Sequence, residues 1–343
     1  MRFGLIGCGE IGKLRALALS AMDSHTLAAV SDIDEKKAAA FAREFDADIV
    51  TDWRSLLNRD LDAIIVSTPP SMHAEMSIAA LRAGKHVLCE KPLARTPGEC
   101  QAMVDAADQA GCMLATGFNY RFYPSIKKAR DLLDSGIIGE LDHIRSFTGY
   151  SAADHNHEWL HDVEVMGGGT MWDNGIHLID LTCYFLGDVA DIKGLASGRV
   201  WDFPGCEDNG FALIRNKAGR IASLHTTWNE WRGYRLLVEI YGTRGCIRAW
   251  CFPTLVQVVW SEARGGSARR KWHLFPTVHL MEKLRSYRWV VTQSFKDEFR
   301  EFQRAIDGQN TALASGQDGL RAVEVAYTAS ESMRSSMKNA TNA

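Results

Sequence analysis

No stretch of this 343-residue sequence approaches the roughly 20 consecutive apolar residues of a membrane-spanning helix, so no membrane span is expected. Ahead of the first apolar run there is no charged leader, signal core or cleavage site, and the expected location is the cytoplasm. An excess of one charge is also missing. Lys and Arg number 39 against 42 Asp and Glu, a formal net charge of -3, so there is no basic field to hold nucleic acid or an anionic membrane. The eight cysteines have no paired spacing and Cys8 falls inside a glycine turn, which argues against both a disulfide framework and a cysteine-based zinc site. Buried thiols in a reducing compartment are expected instead. There is no internal repeat and no low-complexity tract. What is present is an ordinary globular composition, 46% hydrophobic. The chain is longer than the roughly 250 to 300 residues a single core supports, so two domains acting on a small molecule are expected.

The first half is organised around Gly7-Cys8-Gly9-Glu10-Ile11-Gly12, which follows the apolar run Phe3 to Ile6 and opens a helical pattern carrying Ile11, Leu14, Ala18 and Ala21. In such a strand-turn-helix the first glycine permits the tight turn and the second lets a pyrophosphate approach bare backbone. The third lets helix and strand pack closely, with the phosphates at the helix N-terminus. A second strand, Leu27 to Val30, delivers Asp32 twenty residues after Gly12, where a carboxylate can accept the ribose hydroxyls of an adenosine. The alternative is a glycine turn in an α/β protein with another phosphate ligand or none. The runs Leu61 to Val66, His86 to Cys89 and Met113 to Ala115 continue a six-strand β-α-β pattern that ends near Phe118. The carboxyl ends of those strands bring Ile33, Thr68, Pro69, Pro70, His73, Glu90 and Lys91 to the cofactor's edge. For His73 the competing reading is a solvated helix residue, and for Lys91 a salt bridge to Glu90. The expected boundaries are residues 1–118 for a dinucleotide-binding domain, a doubly wound parallel sheet, and 119–343 for a substrate-binding and oligomerisation domain.

From Leu141 onward the texture changes to period-two alternation, as in Ala222/Leu224/Thr226/Trp228 and Leu236/Val238/Ile240, separated by glycine turns. This predicts an α+β domain built on an open, mostly antiparallel sheet. Between the sheet segments, Gly167-Gly168-Gly169-Thr170 leads into a helix apolar on nearly every side, with Thr170 as its expected cap and Gly187 as its end. A helix of that kind is buried, so Asp173, His177, Asp180 and Tyr184, spaced along one stripe, need polar partners. An aspartate one turn before a histidine can hold the imidazole while its other nitrogen takes a substrate proton; the alternative is a structural Asp-His bond.

The glycine turn with Asp32, then Glu90-Lys91-Pro92, Gly167 to Gly169 and the Asp173/His177 pair, in this order, resemble the Gfo/Idh/MocA family over essentially the whole chain. The resemblance implies an N-terminal Rossmann domain and a C-terminal open sheet. It also implies hydride transfer between a nicotinamide and a carbinol carbon of a sugar, an inositol-like polyol or a nucleotide sugar. It assigns Lys91, Asp173 and His177 to catalysis, with the choice of proton acceptor between Lys91 and His177 left open. Asp32 and Ile33 argue for NAD over NADP, since a carboxylate repels a 2′-phosphate. Two other activities fit the same motifs: an NAD-retaining glycoside hydrolase or lyase working through a transient ketone, and a non-catalytic dinucleotide sensor.

His157-Glu158-Trp159-Leu160-His161 spells a zinc-peptidase pattern. Its flanks lack helical periodicity, so a chance match in a loop is expected, with no metal. Within the resemblance, His155, His157, Trp159 and His161 become substrate-pocket candidates, the alternative being a polar surface loop, together with Asn119, Arg121, Lys91, Asp173 and His177. An open sheet with an apolar face needs a cover, from which a homodimer or homotetramer is expected.

Overall fold

The computed structural model describes residues 1–154, 157–263 and 265–341. It divides into two compact units, Met1–Phe122 with Arg285–Val323, and Tyr123–Leu284 with Glu324–Ala343. In chain order the first unit begins β1 (Arg2–Ile6), α1 (Glu10–Ser20), β2 (Thr26–Ser31), α2 (Glu35–Phe45) and β3 (Asp48–Ile49). It continues β4 (Ala63–Val66), α3 (His73–Arg82), β5 (His86–Cys89), α4 (Pro97–Ala110) and β6 (Leu114–Thr116). The six strands form one sheet in the order β3-β2-β1-β4-β5-β6, with every pairing parallel. Helices cover both faces of such a sheet, which is why β4 reads Ala-Ile-Ile-Val and is buried at every position. α4 starts on a capping box between Thr96 and Glu99.

The second unit supplies α5 (Pro124–Asp134), β7 (Leu141–Gly149), α6 (Val163–Met166), α7 (Gly175–Leu186), β8 (Val189–Ser197) and β9 (Asn209–Asn216). Then follow β10 (Ile221–Thr227), β11 (Arg235–Gly242), β12 (Gly245–Trp250), β13 (Leu255–Trp260) and β14 (Arg269–Leu274). These eight strands lie in the order β14-β13-β12-β11-β7-β10-β9-β8, antiparallel throughout except for the parallel pair β7/β10. The expected open, mostly antiparallel sheet is therefore present. Its inner face buries Ile144, Ala212, Leu224 and Val238, with α7 packed against β7 and β10. The remaining helices are α8 (Pro276–Arg285), α9 (Arg288–Ile306) and α10 (Gly316–Thr341).

Two features depart from the sequence expectation. The run ending at Val66 is the fourth strand and not the third, because β3 is a two-residue edge strand, exposed at both positions and too short to show an apolar pattern. The segment Arg285–Val323 falls with the first unit, although it lies beyond residue 118. The cause is α9, whose Phe295, Phe299 and Phe302 join Phe3, Leu5, Leu14 and Leu19 in one buried core. Phe299 meets Phe3 edge-on at 5.4 Å.

Candidate active site

In the first unit, the chain leaves β1 through Gly7 at φ +98°, and a Cβ there would lie 2.5 Å from the Ser67 carbonyl oxygen. A Cβ at Gly12 would collide with the Gly7 carbonyl, so α1 can lie against the turn only with glycine at that position. Gly9 is the N-cap of α1, provides no side-chain cap, and has open space where its Cβ would stand. The helix N-terminus thus offers unpaired N–H groups to an anion. Asp32, just past β2, binds the turn as well: its carboxylate accepts the Cys8 N–H at 2.7 Å and the Asp34 N–H at 2.9 Å. Each of its oxygens keeps a second lone pair for a hydroxyl. Ile33 beside it is 99% exposed and Ile11 is 41% exposed, apolar surface next to an anion site. Glu10 pairs with Arg288 at 3.0 Å on the surface. Burial and the Asp32 charge push the Cys8 thiol up to about 12, which keeps a thiolate away from the turn.

Thr68, Pro69 and Pro70 follow β4. His73 is not a solvated helix residue: it is fully buried, with Nε2 2.8 Å from the Thr68 carbonyl oxygen and Nδ1 2.9 Å from that of Pro92. Burial pushes its pKa down, against the opposing pull of those two carbonyls and Glu90. The Glu90 carboxylate bonds the buried Arg15 guanidinium, which also pairs with Glu298 at 2.8 Å and lies over the Phe295 ring at 4.5 Å. Burial works against the Arg15 cation, but the two carboxylates outweigh it and raise its pKa. Glu90 also accepts the Lys91 backbone N–H at 3.3 Å. Asn119 and Arg121, expected to bind substrate, make contacts with the segment that returns to the first unit. Asn119 donates to Ser294 Oγ at 2.8 Å, and Arg121 donates to the carbonyls of Ala312 and Leu313 at 3.4 Å and lies 3.5 Å from Asp318. Both hold the returning segment.

In the second unit, β7 and β10 run parallel with Gly149 opposite Thr227, so the next residues, Tyr150 and Trp228, emerge side by side. Both donate to Asp173 Oδ2, the Tyr150 hydroxyl at 2.5 Å and the Trp228 indole N–H at 3.2 Å. Burial, then the Asp173 charge, push the Tyr150 phenol far up, so it stays a protonated donor. The glycine turn before α7 is packed at two positions: a Cβ at Gly168 would meet the Trp172 indole and one at Gly169 the Glu207 backbone. Glu207 accepts the N–H groups of Gly169 at 3.0 Å and Met171 at 2.8 Å; burial raises its pKa in spite of those bonds. α7 begins at Gly175, not at Thr170, because it is the Thr170 carbonyl that accepts the Gly175 N–H at 3.0 Å. Asp173 therefore lies in the turn before the helix, while His177, 5% exposed, is in its first turn. Further along the stripe Asp180 is buried, and the Tyr184 ring lies beneath the Arg130 guanidinium at 5.5 Å.

Glu158–His161 forms a 3-10 turn, so the two histidines of the zinc-like pattern do not share an α-helical face. His157 is exposed and stacks on Trp159 at 6.0 Å, whereas His161 stacks on Phe203 at 4.0 Å. Among the described residues, no group of three His, Cys, Asp or Glu side chains is gathered as a metal site would need. His155 lies outside the described residues.

Residues 1–118 match the family described as "Oxidoreductase family, NAD-binding Rossmann fold", and residues 126–248 match "GFO/IDH/MocA C-terminal domain". The chain belongs to the Gfo/Idh/MocA oxidoreductase family. A levoglucosan dehydrogenase of Pseudarthrobacter phenanthrenivorans is 30% identical over 72% of this chain and 73% of its own length. A myo-inositol 2-dehydrogenase of Thermotoga maritima is 27% identical over 97% of this chain and 96% of its own. Among solved structures, a levoglucosan dehydrogenase in complex with NADH matches with a TM-score of 0.86 at 26% identity, covering 98% of this chain and 97% of that one.

As a Gfo/Idh/MocA oxidoreductase, the chain carries an NAD-binding Rossmann domain. The residues present fit the dinucleotide. The open side of Gly9 and the uncapped start of α1 suit the pyrophosphate, Asp32 suits the adenosine ribose, and the exposed Ile33 offers apolar cover to the adenine. Sequence reading did not find Arg15, Glu298 or Tyr150. The only local signal for Tyr150 was its place directly after a strand.

Proposed function

We propose that this Gfo/Idh/MocA protein is an NAD-dependent dehydrogenase of a sugar, an inositol-like polyol or a nucleotide sugar, with Lys91, Asp173 and His177 as its catalytic residues. The observation that carries the reading is the hold on Asp173. Two donors fix one oxygen of a buried carboxylate at the start of the helix that carries His177, which is the preorganisation a general base requires and a dinucleotide sensor does not. The names of the relatives, levoglucosan and myo-inositol dehydrogenases, support the substrate class.

The bound nicotinamide supplies the hydride acceptor. The protein must then remove the proton from the substrate hydroxyl as its carbon becomes a carbonyl. His177 takes that proton, Asp173 orients and steadies the resulting imidazolium, and the Lys91 ammonium hydrogen-bonds the oxygen as charge develops on it. Asp32, held by two N–H groups, sets a carboxylate that would repel a 2′-phosphate, which favours NAD.

The open face of the eight-stranded sheet supports self-association. The pairing register aligns Leu195, Phe211, His225, Phe147, Leu237, Trp250, Leu255 and Leu274 in one cross-strand row. Leu195 is 64% exposed, Phe211 46% and Leu274 67%, an apolar face that a second copy would cover.

The test is to follow NADH formation with NAD, and separately NADP, over a panel of sugars, inositols and glycosides. Lys91→Ala and His177→Ala are each expected to lower kcat by about a hundredfold or more with NADH affinity nearly unchanged. Unaltered turnover in both would remove the assignment, and glycoside loss without NADH would replace it with internal redox chemistry.

A further inference from the structure

Glu207 and Asp208 stand side by side just before β9, and they hold opposite ends of one hydrogen bond, the one from the Trp228 indole N–H to Asp173 Oδ2. At the Asp173 end, Glu207 takes three consecutive N–H groups of the buried turn before α7. Its two carboxyl oxygens accept from Gly169 at 3.0 Å and Met171 at 2.8 Å, and its backbone carbonyl accepts from Thr170 at 3.0 Å. The Gly169 carbonyl in turn accepts the N–H of Asp173 at 3.2 Å. At the Trp228 end, the Asp208 carbonyl accepts the Trp228 N–H at 2.8 Å. The Asp208 carboxylate, 1% exposed, is itself fixed by the N–H groups of Arg199 at 3.0 Å, Val200 at 2.7 Å and Trp201 at 3.0 Å, and by the Asn229 amide at 3.2 Å.

We propose that Glu207 is a positioning residue for Asp173: its carboxyl group fixes the turn so that Asp173 Oδ2 falls where Tyr150 and Trp228 donate to it. The proposal rests on the role of Asp173 in catalysis given above. Three N–H groups in a row on a buried turn need acceptors from outside it, and Glu207 supplies all three. Asp208 keeps the donor in place from the other side, so neither end of the Trp228–Asp173 bond is left to drift.

Glu207→Gln keeps the size of the side chain and removes one acceptor. An amide nitrogen cannot accept the N–H that a carboxyl oxygen accepts, whether the carboxyl group is ionised or protonated. Misplacing a reacting group by roughly 1 Å costs about a hundredfold, and the variant keeps one of the two bonds, so kcat is expected to fall about tenfold with NADH affinity retained. Asp173→Asn then separates positioning from general damage. With Asp173 already disabled, adding Glu207→Gln should lower kcat by no more than about twofold further. A further tenfold loss in the double variant, or unchanged kcat in Glu207→Gln alone, would overturn the proposal.

Two readouts need no substrate. The ¹⁵N-indole resonance of Trp228, assigned with Trp228→Phe, should move in Glu207→Gln while that of Trp53 in the first unit stays in place; an unmoved Trp228 resonance would refute the proposal. In the unmutated protein, NMR couplings across hydrogen bonds should link the Glu207 side-chain carboxyl carbon to the Gly169 and Met171 amides. If such couplings are seen across the β-ladders but not at these two amides, the proposal fails even where the variants do not fold. If both readouts agree but no compound on the panel is oxidised, it is the dehydrogenase reading that fails, not the placement of Asp173.

Discussion

Arg15→Met tests how the Rossmann unit is held together, because the same two helices are joined by a second ion pair of very different burial. Arg15 on α1 is 0% exposed and meets Glu298 on α9 at 2.8 Å as well as Glu90. Glu10 on α1 meets Arg288 on α9 at 3.0 Å with side chains 47% and 58% exposed. Removing one partner of a buried pair costs roughly 3 to 5 kcal/mol, and here two carboxylates lose the same buried cation. The exposed pair is worth about 0 to 1 kcal/mol. Methionine approximates the arginine stem, so little cavity is added. Urea, being uncharged, leaves ion pairs unscreened, and unfolding in it should show Arg15→Met destabilised by about 3 kcal/mol or more and Arg288→Met by no more than about 1 kcal/mol. The deficit should also shrink as pH falls. A buried carboxylate that loses its cation is more easily protonated in the folded state than in the unfolded one, so the penalty is absent at low pH and grows as pH rises. Equal losses in the two variants, or a deficit that does not change with pH, would refute the view that burial decides the worth of these pairs.

Tyr150→Phe removes the shorter of the two bonds to Asp173 and should cost roughly 1.5 to 3 kcal/mol in urea, as for a hydrogen bond to a charged group. Steady-state kinetics should show kcat/KM down at least about tenfold, an effect Trp228→Phe shares in weaker form. Asp32→Ala loses the acceptor for Cys8 and Asp34 and should weaken NAD binding by about tenfold or more while affecting NADP less; calorimetric titration giving parallel losses would contradict the selectivity argument. Leu213→Glu places a charge on the open sheet face, where Leu213 is 62% exposed, and should lower the mass seen by sedimentation without lowering thermal stability of the separated chain. An unchanged sedimentation profile would remove that face as the contact.

What was legible in the sequence was what acts locally. Gly7, Gly12 and Asp32 do their work within a strand-turn-helix whose spacing announces it, and the alternation of β10 and β11 is written residue by residue. The hold on Asp173 was not legible, because Tyr150 and Trp228 stand 23 and 55 residues away and reach it only through the parallel pairing of β7 with β10. The amphipathic pattern of α9 showed that the helix buries a face, but not that the face belongs against β1 and α1. For Asn119 and Arg121 the partners described lie 175 to 192 residues on, in a segment that no local pattern connects to them. His73 was expected at the cofactor's edge but could not be oriented, since the groups its two nitrogens face are backbone carbonyls.

The return of Arg285–Val323 to the first unit has a consequence for biosynthesis. A Rossmann unit encoded at the start of a chain would ordinarily finish folding while the rest is still being translated. Here the apolar surface of Phe3, Leu14 and Leu19 waits for Phe295, Phe299 and Phe302. Those residues lie some 170 to 180 positions beyond Phe122, about 10 to 35 seconds at roughly 5 to 20 residues per second. During that interval the nascent first unit exposes an unfinished hydrophobic seam. A ribosome stalled between the two halves would display a client for chaperones rather than a finished nucleotide-binding domain.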